Sequence, residues 1–254
     1  MRLEKKVVLI TGGANGIGRE TAKRFVSEGA IVSIADLDEN AGMKLAEELG
    51  ENAEFFKINV ADRAQVNFWV ESVFNKYGKI DVLINNAGIL RDGQLVRFKD
   101  GQVQKTLTDE EFDQVVSVNL KGVYICTQAV VPIMIRQNGG VILNTSSIVG
   151  EDGNFGQTNY VAAKAGVLGM SNVWTRELGR YNIRVNSVLP GFTATEILNS
   201  MPEKVLDGMR ERTPLRRLGS ALDIANAFLF LASEEANFIS GVALRVDGGI
   251  RVGT

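Results

Sequence analysis

The sequence predicts an α/β fold, a three-layer sandwich in which a seven-stranded parallel sheet carries helices on both faces. Short continuous apolar runs, such as residues 6–10 and 30–35, alternate with helix-like segments along the chain. Such runs are typical of parallel strands, because helices cover both faces of the sheet. The 254 residues are 45% hydrophobic, which is enough for one large core. We find no linker, repeat or low-complexity tract, and therefore predict one domain over residues 1–254.

The elements can be assigned in order from apolar runs, capping signals and turn signals. Helices are predicted at residues 19–26, 38–49, 62–77, 108–137 and 220–233, with another around Tyr160. Asp62 to Gln65, Thr108 to Glu111 and Ser220 to Asp223 are the capping signals. The strands are predicted at residues 6–10, 30–35, 54–58, 81–84, 140–145, 183–189 and 242–246.

Two segments depart from this alternation. Residues 94–105 contain Asp100-Gly101 between two short runs of strand character, which predicts a β-hairpin near 94–106 at the carboxyl edge of the sheet. The hairpin could equally be a surface ornament without a role. The polar, mixed segment from about 196 to 218 predicts a mobile, helix-rich lid.

Composition excludes several classes of function. The net charge is −2 with both signs interspersed, so we expect neither a nucleic-acid partner nor an anionic membrane. We expect no membrane span and no signal peptide. The single Cys126 excludes an internal disulfide and favours a cytoplasmic protein. The chain has no histidine, so no Ser-His-Asp chemistry and no metal site are predicted.

A glycine-rich turn follows the first strand and opens the first helix. In this context Gly12 permits a tight turn, while Gly16 and Gly18 allow close approach of the backbone to a pyrophosphate. The helix N-terminus would then present free N–H groups to the phosphates. We interpret the segment as the dinucleotide site of a Rossmann-type domain, with the dinucleotide-binding part at about 1–150. The alternative is a glycine turn that serves only the fold.

Asp36 at the end of the second strand bears on the choice of dinucleotide. A carboxylate at this distance from the glycines accepts hydrogen bonds from the adenosine ribose and repels a 2′-phosphate. Leu37 follows it, and no Arg or Lys precedes Arg19 in the glycine loop. We therefore predict NAD rather than NADP, although Asp36 could instead simply open the next helix.

Tyr160 and Lys164 are four residues apart, which on a helix puts both side chains on one face. A nearby cation favours the phenolate and should lower the pKa of the tyrosine, as proton transfer to or from an alcohol oxygen requires. A surface Tyr beside a surface Lys would be the ordinary interpretation of this spacing alone. Ser147 lies at the end of the fifth strand, and Asn119 sits unexpectedly inside a predicted helix.

The glycine motif, Asn85-Asn86-Ala87-Gly88, Asn119, Ser147, Tyr160 with Lys164 and Pro190-Gly191 together resemble the short-chain dehydrogenase/reductase family. The resemblance implies that Tyr160 is the general acid/base, with Lys164 its partner at the nicotinamide ribose. It also implies that Ser147 polarises the substrate carbonyl and that Asn119 holds a water, with a catalytic and substrate part at about 119–254. With the arguments above, it places the cofactor against Gly12, Asn15, Gly16, Ile17, Gly18, Asp36, Leu37, Asn59, Val60, Asn86, Ala87, Gly88, Tyr160, Lys164, Pro190, Gly191, Thr193 and Thr195.

Within the family, residues 85–92, 153–160 and 246–249 resemble the β-ketoacyl-(acyl-carrier-protein) reductases. Arg136 and Arg176 are similar in position to residues that dock an acidic carrier protein there, although solvated surface charge is the simpler interpretation. Asn15 and Asp36 depart from that subfamily, which usually prefers NADPH and has a shorter segment at 94–105. The resemblance implies a substrate on CoA or acyl-carrier protein and a homotetramer. A polyol, sugar, steroid or other secondary alcohol remains an alternative substrate, and a non-catalytic dinucleotide sensor a more remote one.

Overall fold

A seven-stranded parallel sheet forms the middle layer of the computed structural model, which describes residues 1–194 and 202–250. The strands and helices are, in chain order, β1 Val7–Thr11, α1 Gly16–Val26, β2 Ile31–Asp36, α2 Glu39–Leu49, β3 Ala53–Lys57, α3 Arg63–Tyr77, β4 Val82–Asn85, β5 Val96–Lys99, β6 Gln102–Thr106, α4 Asp109–Val116, α5 Gly122–Arg136, β7 Gly140–Thr145, α6 Val149–Asp152, α7 Thr158–Leu178, β8 Ile183–Pro190, β9 Thr193–Ala194, α8 Glu203–Arg212, β10 Gly219–Ser220, α9 Ala221–Ala232 and β11 Ala243–Val246.

The spatial order of the sheet is β3-β2-β1-β4-β7-β8-β11, and every neighbouring pair is parallel. All seven predicted strands are present, with bounds within a residue or two of those expected. The chain moves outward from β1 to β3 and then returns to the other side of β1 with β4. This reversal opens a crevice beyond the carboxyl ends of β1 and β4, where ligands bind in open sheets.

Helices cover both faces of the sheet, as the continuous apolar strands predicted. One buried cluster includes Trp69 of α3, Ile125 of α5 and Leu178 of α7. The cluster on the opposite face includes Phe25 of α1 and Phe228 of α9. Burial of such side chains contributes on the order of 2 kcal/mol each, which holds the three layers together.

Cys126 of α5 is fully buried within the first of these clusters. Burial disfavours the thiolate and raises the pKa of its thiol to about 12. Because the thiolate is the reactive form, this cysteine is chemically inert in the folded chain.

The predicted long helix over residues 108–137 is interrupted, which corrects that expectation. The capping box at Thr108 and Glu111 starts α4 as predicted, but Ser117–Lys121 forms a π-helical turn before α5 continues. A π turn adds one residue per turn and often marks a functional site. It rotates Asn119 inward, where this side chain is fully buried. A mid-helix asparagine is unfavourable by propensity and is retained here for its contacts.

The helical run Asp109–Arg136 also corrects the expectation that no segment reaches the length of a membrane span. Its 28 residues contain a window of mean hydropathy 1.4, so it is long and apolar enough by composition. Half of that window is buried inside the protein, and α5 packs against α3 and against β4 and β7. The apolar side chains are accounted for by this packing, which is what a core helix requires. The absence of a membrane partner stays a prediction.

The predicted hairpin is present, with β5 and β6 paired antiparallel and every residue of both strands exposed. Asp100 and Gly101 have φ values of 52° and 77°, as a two-residue primed turn requires. Of the predicted lid, the structure describes α8 and the chain that follows it. Residues 195–201 of that segment lie outside the described residues, and its mobility stays a prediction.

Candidate active site

The glycine turn between β1 and α1 brings backbone close to backbone. Gly12 has a φ of +61°, and a Cβ there would lie 2.7 Å from Cα of Ala87. A Cβ on Gly18 would collide with the carbonyl oxygen of Gly12. Gly18 therefore packs the helix onto the turn, whereas Gly12 allows the turn itself.

A cleft of about 570 Å³ opens beside this turn. It is lined by residues from the ends of β1, β2, β4 and β7 and from the connecting segments, namely Gly12, Asn15, Gly16, Ile17, Ala35, Asp36, Leu37, Ile58, Asn59, Val60, Asn86, Ala87, Gly88, Ile89, Leu90, Val118, Thr145, Tyr160 and Lys164. Most residues that the sequence assigned to a cofactor thus line one cavity. The first turn of α1 faces it without a side-chain cap from Asn15 and without an acidic residue, so the cleft fits a pyrophosphate.

Two carboxylates lie at or just after the end of β2, where the sequence predicts the adenosine end of a cofactor, and Asp36 lines the cleft. Asp36 accepts hydrogen bonds from the backbone N–H of Ala14 at 3.0 Å and of Asp38 at 3.1 Å. The side chain of Asn15 donates to Asp38 Oδ2 at 3.1 Å. Each carboxylate oxygen keeps a further lone pair, so Asp36 can still accept a ribose hydroxyl. The pair sets a negative charge where a 2′-phosphate would have to lie.

Tyr160 and Lys164 line the cleft, and Ser147 lies next to the Tyr160 phenol, whose pKa it lowers as a hydrogen-bond donor. Lys164 Nζ lies 5.6 Å from the centroid of the Tyr160 ring and donates to the carbonyl oxygen of Thr145 at 2.7 Å. Both α7 residues therefore share one helical face, as the spacing of four predicted.

Burial determines the protonation states of this pair. It raises the pKa of Tyr160 to about 12, against the hydrogen bond from Ser147 that lowers it, and the charge of Asp92 raises it further. Burial also lowers the pKa of Lys164 to about 8. The expectation that Lys164 lowers the pKa of the tyrosine is therefore wrong for this form of the site. Desolvation of a phenol enclosed by protein outweighs a cation that is itself desolvated.

Asn119 hydrogen bonds to the backbone of the segment that follows β4, and its role in holding a water stays a prediction. Its Oδ1 accepts from the N–H of Ile89 at 2.8 Å, and its Nδ2 donates to the carbonyl oxygen of Ile89 at 2.9 Å. The side chain thereby holds both backbone polar groups of Ile89, in the segment that lines the cleft. Gly88 is adjacent, since a Cβ there would lie 3.5 Å from Asn119 Oδ1.

Some predicted cofactor residues lie outside the cleft wall. Pro190 ends β8 and its carbonyl oxygen accepts from Ile148 N–H at 3.3 Å, one residue beyond Ser147. Gly191 is accounted for by close packing, because a Cβ there would lie 2.7 Å from Cα of Asp247. Thr193 donates to the Gly191 carbonyl oxygen at 3.1 Å, and Thr195 lies outside the described residues. Their contacts with a cofactor stay predictions.

The sequence did not single out Thr145, Ile89 or Leu90 as cleft residues. Thr145 is the last residue of β7, and the carboxyl end of a strand in an open sheet is the signal that could have found it. Ile89 and Leu90 carry no such signal in the sequence, because the hydrogen bonds of Asn119 to the Ile89 backbone determine their position in the cleft.

The chain resembles known proteins over nearly its whole length. A family model described as Enoyl-(Acyl carrier protein) reductase matches residues 12–251. A 3-oxoacyl-[acyl-carrier-protein] reductase of Thermotoga maritima is 48% identical over 253 residues, which are 98% of this chain and 99% of the relative. Reductases with the same description from Staphylococcus epidermidis and Escherichia coli are 41% and 38% identical, over 96% and 98% of this chain and 98% and 99% of the relatives.

Proposed function

The chain belongs to the short-chain dehydrogenase/reductase family, as its motifs predicted, and from that premise we propose that it is an NAD(H)-dependent reductase of 3-oxoacyl thioesters. The family binds a nicotinamide dinucleotide and interconverts a carbonyl and an alcohol. The observation that carries the proposal is that Tyr160 and Lys164 line the cleft, with Ser147 next to the Tyr160 phenol. The relatives are 3-oxoacyl reductases by description, which favours a thioester over a polyol or sugar.

The protein residues supply orientation and a proton. NAD(H), when bound, would supply the hydride. The Ser147 and Tyr160 hydroxyls lie next to each other, so both can donate to a carbonyl oxygen held beside them. Tyr160 is protonated at neutral pH, as an ordinary tyrosine is, and it can donate that proton to the alkoxide as the carbonyl is reduced. The charged form of Lys164 stabilises the phenolate that remains.

Two carboxylates support the choice of NAD over NADP. Asp36 and Asp38 lie side by side at the adenosine end, and Asn15 is directed to Asp38. A 2′-phosphate there would meet like charge, which costs binding free energy in a partly enclosed site. This repulsion supports the proposed preference for NAD, and the descriptions of the relatives do not name the cofactor.

Initial rates with acetoacetyl-CoA test the proposal. NADH and NADPH are run side by side with the purified chain, and crotonyl-CoA and a polyol serve as alternative substrates. We expect turnover of acetoacetyl-CoA with NADH to exceed that with NADPH and with the other substrates. If protein shown to bind NADH turns over crotonyl-CoA or a polyol instead, the thioester ketone assignment is wrong.

Several finer expectations remain proposals. We expect a homotetramer in the cytoplasm. Arg136 and Arg176 are exposed in the last turns of α5 and α7, as docking of a carrier protein would need. Arg176 lies sixteen residues after Tyr160, about 24 Å along the helix axis. Within one chain it is thus far from the reacting end of the cleft.

A further inference from the structure

A second recess lies beside the catalytic tyrosine, at the base of the hairpin. It has a volume of about 330 Å³ and is enclosed by the chain before β5, by both hairpin strands and by the loop before α7, through Asp92, Gly93, Gln94, Arg97, Lys105, Phe155 and Gly156. The segment that Asn119 holds at Ile89 lines the cofactor cleft and continues directly into this recess. The two cavities are therefore neighbours along one stretch of chain.

The inner wall of the recess is fixed to the start of α7. Gly93 N–H donates to the carbonyl oxygen of Gly156 at 2.8 Å, and Gln157 Nε2 donates to Asp92 Oδ2 at 2.9 Å. Asn159, fully buried, donates through Nδ2 to the Arg91 carbonyl oxygen at 2.9 Å. Because Tyr160 follows immediately, these hydrogen bonds attach the wall of this recess to the helix turn that carries the Tyr160 phenol.

The recess has positively charged side chains at its outer side and a carboxylate at its inner side. At its outer side Arg97 and Lys105 face each other directly across the two strands of the hairpin. Like charges in direct opposition are destabilising in a sheet, and an anion between them would relieve the repulsion. Lys105 Nζ is 3.2 Å from Glu111 Oε1, which neutralises part of this charge. At the inner side Asp92 is the only carboxylate that lines the recess among the described residues.

We propose that Arg97 and Lys105 bind the phosphate ester that ends the pantetheine arm of the thioester substrate. The inference rests on the proposed function and names the part of the substrate that this recess would recognise. A phosphate accepts charge-assisted hydrogen bonds from both groups. Asp92, near Tyr160, would repel the same anion from the reacting end and so keep the arm in one direction.

The reach of the hairpin agrees with this arrangement. Gly93 is hydrogen-bonded to Gly156, and the four residues from Gly93 to Arg97 span at most about 13 Å when extended. An extended pantetheine arm is longer than that, so an arm whose phosphate lies at the hairpin extends past Gly93 toward the start of α7. The side chain of Phe155 is 82% exposed beside this path and offers an apolar surface to the arm.

Paired substrates test the inference. The ratio of kcat/KM for acetoacetyl-CoA to that for the acetoacetyl thioester of N-acetylcysteamine, which carries no phosphate, is measured for the native chain and for the double variant Arg97→Gln, Lys105→Gln. Loss of two charge-assisted contacts should reduce the ratio about tenfold or more. Lys99→Gln removes the same charge from the hairpin outside the recess and should leave the ratio unchanged. Acetoacetyl-acyl-carrier protein, compared with the same truncated thioester, is the third substrate.

Each outcome decides between sources of the anion. If the double variant has a reduced ratio with both the CoA and the carrier-protein substrate, the result supports binding of the phosphate ester that both substrates share. An effect on CoA alone assigns the cations to its nucleotide, and an effect on carrier protein alone assigns them to the protein surface; either result overturns the inference. An unchanged ratio in the double variant also overturns it, with the proposed function intact. If the native chain binds NADH and reduces none of the thioesters, the proposed function fails and the inference fails with it.

Discussion

At Tyr160 two effects act on the phenol in opposite directions. Burial raises its pKa to about 12, and the hydrogen bond from Ser147 favours the phenolate. Burial wins, so the resting side chain is a protonated acid held next to a serine hydroxyl. The raised pKa makes this phenol a weaker acid than free tyrosine, so its proton passes only to a strong base such as the alkoxide formed in carbonyl reduction. The chain has no histidine that could supply the proton instead.

We predict that Tyr160→Phe retains NADH binding and loses turnover. The ring stays in its apolar surroundings of Ile148 and Leu189, so the fold is preserved, while the acidic proton is removed. Loss of general acid catalysis should reduce kcat by about 10²–10⁴-fold. NADH fluorescence titration and initial rates measure the two properties. Tyr124→Phe, on the exposed face of α5, is the matched control, and a Tyr160→Phe protein with native kcat would exclude the assigned role.

We predict that Lys164→Met stabilises the protein near pH 7, with a benefit that fades at higher pH. The Lys164 pKa is about 8 in the folded chain and 10.5 in the reference state, so between these values the unfolded chain binds more protons. The free energy of unfolding of the native chain therefore rises with pH in this window. Below pH 8 the cost of burying the charged lysine is constant, up to about 3 kcal/mol. Urea unfolding of both proteins at pH 7 and pH 9.5 measures it. If the two proteins differ in unfolding free energy by the same amount at both pH values, the lowered pKa of Lys164 is contradicted.

We predict that Asp36→Ala relaxes the discrimination against NADPH by tenfold or more. The substitution removes a charge from the site of the 2′-phosphate, and tenfold corresponds to about 1.4 kcal/mol. The ratio of kcat/KM values for NADH and NADPH is the measurement. Glu39→Ala removes the same charge three residues later, where the side chain pairs with Lys57, and should leave the ratio unchanged. An unaltered ratio in Asp36→Ala would mean that other residues select the cofactor.

At the scale of elements, a row of buried polar side chains crosses the sheet beneath the active site. Asn85 of β4, Asn144 of β7 and Ser187 of β8 occupy matching register positions. Asn85 Nδ2 donates to Asn144 Oδ1 at 2.8 Å, Asn144 Nδ2 donates to Ser171 Oγ at 2.9 Å, and Ser171 and Ser187 hydroxyls are 2.9 Å apart. The row attaches α7, and with it the Tyr160–Lys164 face, to three strands.

We predict that Asn144→Ala destabilises the fold by about 2–3 kcal/mol, because it leaves buried donors and acceptors without partners. Denaturant unfolding measures the loss. Asn172→Ala on the exposed surface of α7 is the control and should change stability by less than about 0.5 kcal/mol. Equal effects of the two substitutions would show that the row contributes no specific stability.

At the scale of the whole molecule, β11 forms one edge of the sheet. An edge strand presents unpaired backbone groups that another chain can cover. The exposed faces of α5 and α7 carry Tyr124 and Val173, and Phe238 is fully exposed close to β11. The homotetramer that the family resemblance implies would place its interfaces along these two long helices and the last strand.

We predict a homotetramer, which sedimentation velocity at micromolar concentration tests. Val173→Glu places a charge on the exposed face of α7 and should shift the protein toward smaller species, because a desolvated charge opposes burial. Val205→Glu on exposed α8 is the control and should leave the distribution unchanged. A native monomer would exclude the prediction.

The sequence predicted those features that depend on local chemistry. Continuous apolar runs identified the strands, and Asp100-Gly101 identified the hairpin because few other residues adopt two positive φ values. The glycine turn and Asp36 identified most of the cleft. These signals are local, because each residue type is favoured by the backbone conformation at its own position or by a position at the end of a strand.

Features that depend on tertiary packing could not be predicted in this way. The π turn at Ser117–Lys121 gives no pattern distinct from an α-helix, and it is favoured through contacts of Asn119 with Ile89, thirty residues away. The pKa of Tyr160 likewise follows from burial by surrounding elements and not from Lys164 alone. The sequence predicted the reacting residues, and the directions of their pKa shifts required the structure.

The inert core cysteine has a practical consequence. Cys126 is the chain's only thiol, and it is buried and protonated at ordinary pH. A cysteine introduced by Lys99→Cys on the exposed hairpin would therefore react selectively with a maleimide dye. A single fluorophore attached there reports on the environment of the hairpin when a thioester arrives, with no background labelling to remove.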